Sequence, residues 1–439
     1  MRALRFERNI PRFAAANIAG RLSSGGGAKV GPLRLRNVDT PALPGPSWVE
    51  ILPRLTGICG SDLATIDGNS SRYFEPIVSF PFIPGHEIVA DLTHDFEGVP
   101  AGRVVVEPVL GCVTRGIDPV CAACARGDLG NCERITFGNI SPGLQSGFCC
   151  DTGGGWSTSM IAHVSQLHAV PADWSDEAAV MVDPTACAVH GALAADVSEG
   201  DTVVVLGSGA LGLLTIAALR RFGRKCTIIA VAKHPHQQEL AREFGADHVI
   251  ASDHISRPIR RITGSLAIGD GDIVRLTGGA DHVIDCVGSE SSIAEALTVV
   301  RPKGRITMVG MPGHVHIDLT GLWQREIAMS GAYAYGTETL PNGERRRTFD
   351  LAFELVAAAD LGRLVSATYS LDRFEEAITH AANAGGRGAV RIAFDLRNEK
   401  ERNRAYTSIR PRRRSIDATD SLSPWRGFPA REAPRRAQP

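Results

Sequence analysis

The chain has 439 residues, of which 44% are hydrophobic and 22% charged, and its formal net charge is −1. This composition is ordinary for a globular protein of two or three domains. No apolar run approaches the roughly 20 residues of a membrane span, and no signal sequence is seen, so we expect a cytoplasmic protein without a membrane partner. The ten cysteines indicate metal ligands and buried thiols rather than a disulfide framework.

Residues 1–170 predict a mainly β domain. This segment is rich in Pro, Gly and short apolar runs, and it shows few helical periods. Strands are expected at residues 49–52, 88–90 and 104–106. The three glycines at 25–27 predict a surface loop.

Residues 171–332 alternate between strand and helix patterns, which predicts a doubly wound parallel sheet of the Rossmann type. Besides the segment described next, the expected elements are strands at 226–231, 282–287 and 305–309 and helices at 237–244 and 296–300. A capping box at 292–295 is expected to start the last of these helices.

The strongest local signal is the segment 202–212, where an apolar strand enters a Gly-x-Gly-x-x-Gly turn that opens a helix. In a dinucleotide site, Gly207 makes the tight turn, Gly209 lets the backbone approach a pyrophosphate, and Gly212 lets the helix pack close to the strand. The helix N-terminus offers free N–H groups to the phosphates. We therefore predict cofactor contacts at Gly207, Gly209, Ala210, Leu211 and Gly212.

Residues 333–396 predict two helices, at 348–359 and 374–382, and a closing strand at 389–394, and they are expected to return to the first domain. Residues 397–439 contain 12 Arg or Lys against five Asp or Glu and lack apolar periodicity, which predicts a disordered basic tail. The rest of the chain is net acidic, which argues against nucleic acid as the main partner.

Four cysteines cluster in one polar, Gly-rich loop: Cys112, Cys121, Cys124 and Cys132. Four thiolates can close a tetrahedral zinc shell, and such a filled shell would be structural because no position is left for substrate. The alternative is a set of unmetallated thiols in a loop.

Three further motifs are separated in sequence. Cys59 is flanked by glycines, His86 and Glu87 are adjacent, and Asp183 precedes a proline at the entry to the Rossmann-like segment. A thiolate, an imidazole and a carboxylate that leave one position open are typical of a catalytic zinc. Each motif alone is also compatible with a structural role.

Together these motifs resemble the zinc-dependent alcohol dehydrogenases of the medium-chain dehydrogenase/reductase superfamily, most closely the polyol and threonine dehydrogenase branch. The residues that carry the resemblance are 57–62, 85–87, the four-cysteine cluster, 183–184, 207–212 and 301–305, and the likeness covers roughly residues 1–396. It implies a GroES-like catalytic domain interrupted by a Rossmann domain, with the active site between them. It also implies a homodimer or homotetramer.

Carried over residue by residue, the resemblance implies that Cys59, His86 and Asp183 ligate the catalytic zinc. Glu87 corresponds to a carboxylate near the metal, and Ser61 to the first member of a proton relay. Two departures stand out. Ala64 replaces a relay histidine, and the gap between Cys112 and Cys121 is longer than is usual in the family.

The cofactor preference is predicted from the end of the second Rossmann strand. An NAD site normally has Asp or Glu there, about 20 residues after the glycines, to bind the ribose. This chain has Ala232, followed by Lys233 and His234, which can hold a 2′-phosphate. We therefore expect NADP(H) rather than NAD(H), with solvated Lys and His as the alternative.

The sequence thus predicts an enzyme that transfers hydride between a small alcohol or polyol, or its carbonyl form, and a nicotinamide cofactor, with zinc as Lewis acid. One alternative is a zinc-free enone or quinone reductase of the same fold, which would be expected to lack Cys59 or His86. The other is a non-catalytic nucleotide-binding protein. The loops at 69–82 and 137–156 are expected to line the substrate pocket.

Overall fold

The computed structural model describes residues 1–269, 275–398 and Glu401. The first part of the chain builds a mainly β domain. Its elements are β1 (Arg2–Phe6), α1 (Ile10–Leu22), α2 (Gly27–Val30), β2 (Leu33–Asn37), β3 (Trp48–Gly57), α3 (Gly60–Ile66), β4 (Ile88–Leu92), β5 (Gly102–Val106), α4 (Ala122–Arg126), β6 (Met160–His163) and β7 (Leu167–Ala169). The three strands predicted here are confirmed as parts of β3, β4 and β5, which pair antiparallel in that order.

The prediction for the N-terminal region missed α1, and the surface loop expected at residues 25–27 is wrong. Gly25 and Gly27 are buried, and their N–H groups donate to the two carboxylate oxygens of Asp67 at 2.8 and 2.9 Å. A Cβ on Gly27 would lie 2.1 Å from the carbonyl oxygen of Ile66, so this glycine permits close backbone approach. The contact fastens the segment that carries α1 onto the end of α3.

The middle of the chain forms the Rossmann domain. Its elements are α5 (Asp176–Ala179), α6 (Val182–Ala194), β8 (Thr202–Leu206), α7 (Ala210–Phe222), β9 (Thr227–Val231), α8 (Pro235–Glu243), β10 (His248–Ile250), α9 (Ser256–Thr263), β11 (Ala267–Ile268), β12 (Arg275–Leu276), β13 (Ala280–Asp285), α10 (Glu290–Val299), β14 (Val300–Met308), α11 (Thr320–Gln324) and β15 (Ala328–Gly331). Six parallel strands form one sheet in the order β10-β9-β8-β13-β14-β15.

This sheet confirms the predicted α/β class with its doubly wound parallel arrangement. The strand order reverses between β8 and β13, and ligands bind beyond the carboxyl ends of the strands at such a reversal. The capping box expected at 292–295 is wrong, because α10 starts three residues earlier. Ser289 caps the helix, and its hydroxyl accepts the N–H of Ser292 at 3.1 Å.

The last part of the chain returns to the first domain. Its elements are β16 (Thr337–Thr339), β17 (Arg345–Arg347), α12 (Thr348–Ala359), β18 (Val365–Tyr369), α13 (Phe374–Ala382) and β19 (Arg391–Asp395). β19 pairs antiparallel with β3, so the closing strand joins the seven-stranded sheet begun by the N-terminal half. The two predicted helices are confirmed with their predicted bounds.

The predicted basic tail begins at Arg397, but this residue is buried. Its guanidinium donates to Asp176, Glu177 and Asp395 at distances of 2.8 to 3.2 Å. The rest of the predicted tail, apart from Asn398 and Glu401, lies outside the described residues. Within the part of the chain that the structure describes, no helix is both long and apolar enough to cross a bilayer.

Candidate active site

Cys59 lies where β3 passes into α3. It is the N-cap residue of α3, and its backbone N–H donates to Oδ2 of Asp62 at 2.9 Å. Asp62 is only 1% exposed, and its second oxygen, Oδ1, lies 3.6 Å from Nδ1 of His86. One buried carboxylate therefore positions both the cysteine and the histidine, although these residues are far apart in sequence.

His86 follows a turn that requires glycine. Gly85 has φ +94°, and a Cβ there would lie 2.3 Å from Cδ1 of Trp156. The indole of Trp156 is fully buried and donates to the carbonyl oxygen of Gly57 at 3.2 Å. The turn before His86 is thus packed against the end of the strand that leads to Cys59.

The described residues bring together one group of three different candidate metal ligands: Cys59, His86 and Glu87. Their ligand atoms all lie within 4.8 Å of one another. Glu87 also forms an ion pair with the buried guanidinium of Arg391, while its Oε2 is buried without a hydrogen-bond partner among the described residues. A thiolate, an imidazole and a carboxylate with unsatisfied buried atoms form a donor set that fits zinc.

The local charges favour the ionised forms of Cys59 and His86. Burial by itself raises the pKa of the Cys59 thiol, but its hydrogen bond to His86 and the positive charges of His86 and Arg391 lower that pKa to about 7. Burial works against the imidazolium of His86, yet the carboxylate of Asp62 and the thiolate of Cys59 raise the pKa of His86 well above its ordinary value. The cysteine is therefore poised to act as a thiolate ligand.

Asp183, the third ligand predicted from the sequence, lies in the same cavity but is not part of this group of three. It lies in the first turn of α6, is buried, and accepts a hydrogen bond from the hydroxyl of Tyr335 at 2.5 Å. Burial raises the pKa of Asp183 to about 6. Its carboxylate is thus already engaged by a phenol.

The four clustered cysteines form the second ligand group, with all sulfur atoms within 4.8 Å of one another. The Sγ atoms of Cys112 and Cys132 are 3.6 Å apart, so the long gap after Cys112 does not separate it from the others. Backbone N–H groups of Cys124 and Glu133 point at Sγ of Cys121, and against the effect of burial they lower its pKa to about 6. This arrangement fits a closed structural zinc site.

The glycine turn of the Rossmann domain has the geometry expected for a dinucleotide. Gly207 has φ +83°, and a Cβ on Gly212 would lie 1.8 Å from the carbonyl oxygen of Gly207. Nothing lies within 4 Å of the position of a Cβ on Gly209, so the backbone there faces open space. The turn and the N-terminus of α7, including Ala210 and Leu211, line the same cavity as Cys59.

The end of β9 carries no acidic side chain. Ala232 is fully buried, Lys233 is exposed, and His234 is half-buried. A Cβ on Gly385 would lie 2.8 Å from Cδ2 of His234, so the imidazole packs against the turn that follows α13. Lys233 is the freer of the two side chains that the sequence predicted for a 2′-phosphate.

One cavity of about 1080 Å³ joins the metal-ligand group to the glycine turn. Pockets for small molecules usually measure about 300–1,000 Å³, so this cavity has room for a cofactor and a second ligand. Residues from both predicted pocket loops line it, and so does Ser61. N-terminal residues also line it, which the sequence did not predict because α1 was not foreseen; they are Phe6, Glu7, Arg8, Asn9, Ile10 and Phe13.

Three further residues of the site were missed. Asp62 contacts both Cys59 and His86, and Arg391 forms an ion pair with Glu87. The hydroxyl of Tyr335 donates a hydrogen bond to Asp183. The sequence did contain a signal for Arg391, because it is the one charged residue in the apolar segment 389–394. Such a buried charge needs an ionic partner, and Glu87 supplies it.

Two segments of the chain match models of known protein families. Residues 45–172 match the alcohol dehydrogenase GroES-like domain, and residues 210–348 match the zinc-binding dehydrogenases. A sorbitol dehydrogenase of Halalkalibacterium halodurans is 28% identical over 66% of this chain and 77% of its own length. An L-idonate 5-dehydrogenase of Vitis vinifera is 26% identical over 83% of this chain and 92% of its own length.

Solved structures show the same fold. The 2R,3R-butanediol dehydrogenase of Bacillus subtilis superposes with a TM-score of 0.63 at 22% identity, over 90% of this chain and 99% of its own. A zinc-binding dehydrogenase of Sinorhizobium meliloti crystallised with NADP has a TM-score of 0.61 at 22% identity, over 83% of this chain and 96% of its own. The two matched domains and these relatives show that the chain belongs to the zinc-dependent medium-chain alcohol and polyol dehydrogenases.

Proposed function

We propose that this protein is a zinc-dependent dehydrogenase that transfers hydride between an alcohol or polyol, or its carbonyl form, and a nicotinamide cofactor. The observation that carries the proposal is the single cavity that contains both the ligand group of Cys59, His86 and Glu87 and the glycine turn. The retention of Cys59 and His86 argues against the zinc-free reductase considered above.

In this mechanism the protein's own residues bind the substrate, orient it and remove its hydroxyl proton. Zinc, when bound, supplies Lewis-acid polarisation of the substrate oxygen, and the nicotinamide accepts or returns the hydride. Asp62 holds His86 and the Cys59 backbone in place, and the Arg391–Glu87 ion pair fixes the carboxylate. Ser61, at the start of α3 and on the cavity wall, would accept the hydroxyl proton of the substrate while its own hydroxyl proton passes to solvent water.

We further propose that Glu87 rather than Asp183 is the third ligand of the catalytic zinc. Glu87 lies with Cys59 and His86 inside the 4.8 Å group and keeps one buried oxygen without a hydrogen-bond partner among the described residues. Asp183 instead accepts a hydrogen bond from the hydroxyl of Tyr335. In this assignment Asp183 and Tyr335 form the wall beside the metal.

The four-cysteine cluster is proposed to hold a second, structural zinc. The lobe around it is also held by the fully buried Arg115, whose guanidinium donates to carbonyl oxygens of residues 110, 137, 140, 141 and 143. A closed thiolate shell and a buried arginine together compensate for the small apolar core of this lobe.

The protein is also proposed to assemble into a homodimer or a homotetramer. β15 is an edge strand of the six-stranded sheet, and three of its four residues are exposed. Trp323, just before it, is 77% exposed. An open strand edge beside an exposed aromatic residue is suited to pairing with a second copy.

NADP(H) is the proposed cofactor, and replacement of Ala232 tests it. We expect Ala232→Asp to lower the ratio of kcat/KM with NADP to that with NAD by about tenfold or more, because a carboxylate binds the ribose 2′-hydroxyl and repels a 2′-phosphate. Initial rates with each cofactor measure the ratio. Ala294→Asp, at an exposed alanine of α10, adds the same charge elsewhere in the domain and is the control.

Ala232 is buried, so a charged side chain there disturbs more of the structure than a change at the surface. Lys233→Ala, at an exposed position, is therefore the milder second variant. It should raise the KM for NADP and leave the KM for NAD unchanged. If neither variant changes the ratio of kcat/KM with NADP to that with NAD from its value in the unaltered protein, the NADP assignment is contradicted.

Metal analysis combined with an activity screen tests the proposed function itself. We expect about two zinc ions per chain, and reduction of a nicotinamide by at least one alcohol or polyol, followed at the absorbance of the reduced cofactor. Nucleotide binding without turnover of any alcohol or carbonyl would favour the non-catalytic alternative. Reduction of enones by a metal-free protein would favour the reductase alternative.

A further inference from the structure

We infer that the substrate side of the cavity selects an alcohol with a bulky, apolar carbon skeleton, such as an aryl- or cycloalkyl-substituted alcohol, rather than a polyol. This inference rests on the proposed function and narrows its substrate class. It differs from the substrates named for the curated relatives, which are sugar alcohols and sugar acids.

A continuous aromatic wall starts at the metal-ligand group. The ring of Phe148 lies 6.0 Å from that of His86, and Phe82 lies 5.2 Å from Phe148. Phe80 follows at 5.2 Å from Phe82, and Phe6 stacks on Phe82 at 5.1 Å. All four phenylalanines line the cavity. We call these four residues the aromatic wall.

The N-terminal helix extends this apolar surface. Phe13 of α1 is half-buried, lines the cavity, and packs with the same core cluster as the aromatic wall. α1 is held in place by Asn17, whose side-chain amide donates to the carbonyl oxygen of Gly68 at 2.8 Å. Val78, also half-buried, adds a further apolar side chain from the loop before Phe80.

Several polar groups around this part of the cavity already have partners within the protein. The hydroxyls of Thr65 and Ser70 bond to each other at 2.8 Å. At the rim, Glu75 accepts from Arg72 at 3.1 Å and lies 3.8 Å from Arg8, and Asn9 caps α1.

A polyol bound along the aromatic wall would therefore place several hydroxyls against carbon. Each hydroxyl that loses water without gaining a partner costs on the order of tenfold in binding. An aromatic or alicyclic substrate instead gains offset or edge-to-face ring contacts with the same surface. The aromatic wall thus distinguishes substrates by their polarity as well as by their size.

A matched substrate panel tests the inference. The probes are 1-phenylethanol and cyclohexanol as bulky apolar alcohols, sorbitol and xylitol as polyols, and 2-propanol as a small reference, each with both nicotinamides. We expect kcat/KM for the apolar pair to exceed that for the polyols by about a hundredfold or more. Polyol turnover that equals or exceeds apolar turnover would overturn the inference and leave the proposed function standing. No turnover of any probe, in either direction, would contradict the proposed function itself.

Two wall variants connect the selectivity to these residues. Phe80→Ala and Phe13→Ala should each lower kcat/KM for 1-phenylethanol by about tenfold, since a hydrophobic pocket loses roughly that factor or more for each missing contact group. Thermal unfolding midpoints close to that of the unaltered protein would show that each variant is folded, and the loss of kcat/KM for 2-propanol should be clearly smaller than for 1-phenylethanol, because 2-propanol has no ring to contact the wall. Ile18→Ala, on the exposed side of α1, is the control and should change neither substrate. Equal losses for 1-phenylethanol and 2-propanol would contradict the proposed role of the wall.

Discussion

Replacing Cys59 with alanine is expected to abolish dehydrogenase activity and remove one of two zinc ions per chain. The thiol is a member of the ligand group with His86 and Glu87, and its low pKa makes it the anionic ligand at neutral pH. Losing the metal removes several kcal/mol of charge stabilisation in the transition state, which corresponds to a loss of kcat/KM on the order of 10³-fold. Initial rates and zinc content, measured on the same preparation, check this expectation.

The control for this variant is another cysteine. Cys226 is buried in the Rossmann domain and belongs to neither ligand group, so Cys226→Ala should retain both zinc ions and most of the activity. The zinc assigned to the four-cysteine cluster should also remain in Cys59→Ala. Full activity in Cys59→Ala, or loss of both metals, would contradict the two-site assignment.

The second large effect is expected from a pair of amide replacements, Glu87→Gln and Asp183→Asn. A carboxamide is a much poorer zinc ligand than a carboxylate, so Glu87→Gln should release the catalytic zinc and lower kcat/KM by about a hundredfold. Asp183→Asn preserves the acceptor for Tyr335, and it should keep both zinc ions and lose less than about tenfold. Zinc content and kcat/KM of the two variants provide the comparison.

The opposite outcome has a definite meaning. If Asp183→Asn loses the catalytic zinc while Glu87→Gln retains it, the third ligand is Asp183, as the sequence resemblance implies. A thermal unfolding curve for each variant shows whether a loss of activity comes from the site or from the fold, because Glu87 also pairs with the buried Arg391.

The sequence predicted the helices and strands that have strong local patterns and missed those that depend on distant contacts. The helices at 348–359 and 374–382 were predicted to the residue because their apolar periodicity is sustained. α1 was missed because its sequence is rich in Ala with few apolar anchors, and it is held in place by packing and by bonds to residues near the end of α3. The N-cap of α10 was predicted three residues too late because two serines, Ser289 and Ser292, both fit the preference for serine at an N-cap.

For the proposed catalytic site, the resemblance supplied the candidate residues, and the tertiary structure brought Cys59, His86 and Glu87 together. Cys59, His86, Glu87 and Asp183 come from three separate segments, so spacing along the chain cannot say which of them converge. The choice between Glu87 and Asp183 depends on Arg391 and Tyr335, both more than 150 residues further along the chain. The aromatic wall likewise combines β1 with loops far from it in sequence.

By itself the amino-acid sequence determined the dinucleotide turn, the four-cysteine loop and the alternation that builds the parallel sheet. These features depend on backbone conformation and ligand spacing over a few residues, and such short-range geometry is encoded locally. Only the tertiary structure decided which carboxylate lies with Cys59 and His86, and which side chains line the cavity. Those outcomes depend on buried charge pairs and ring packing between segments that meet only when β19 closes the sheet against β3.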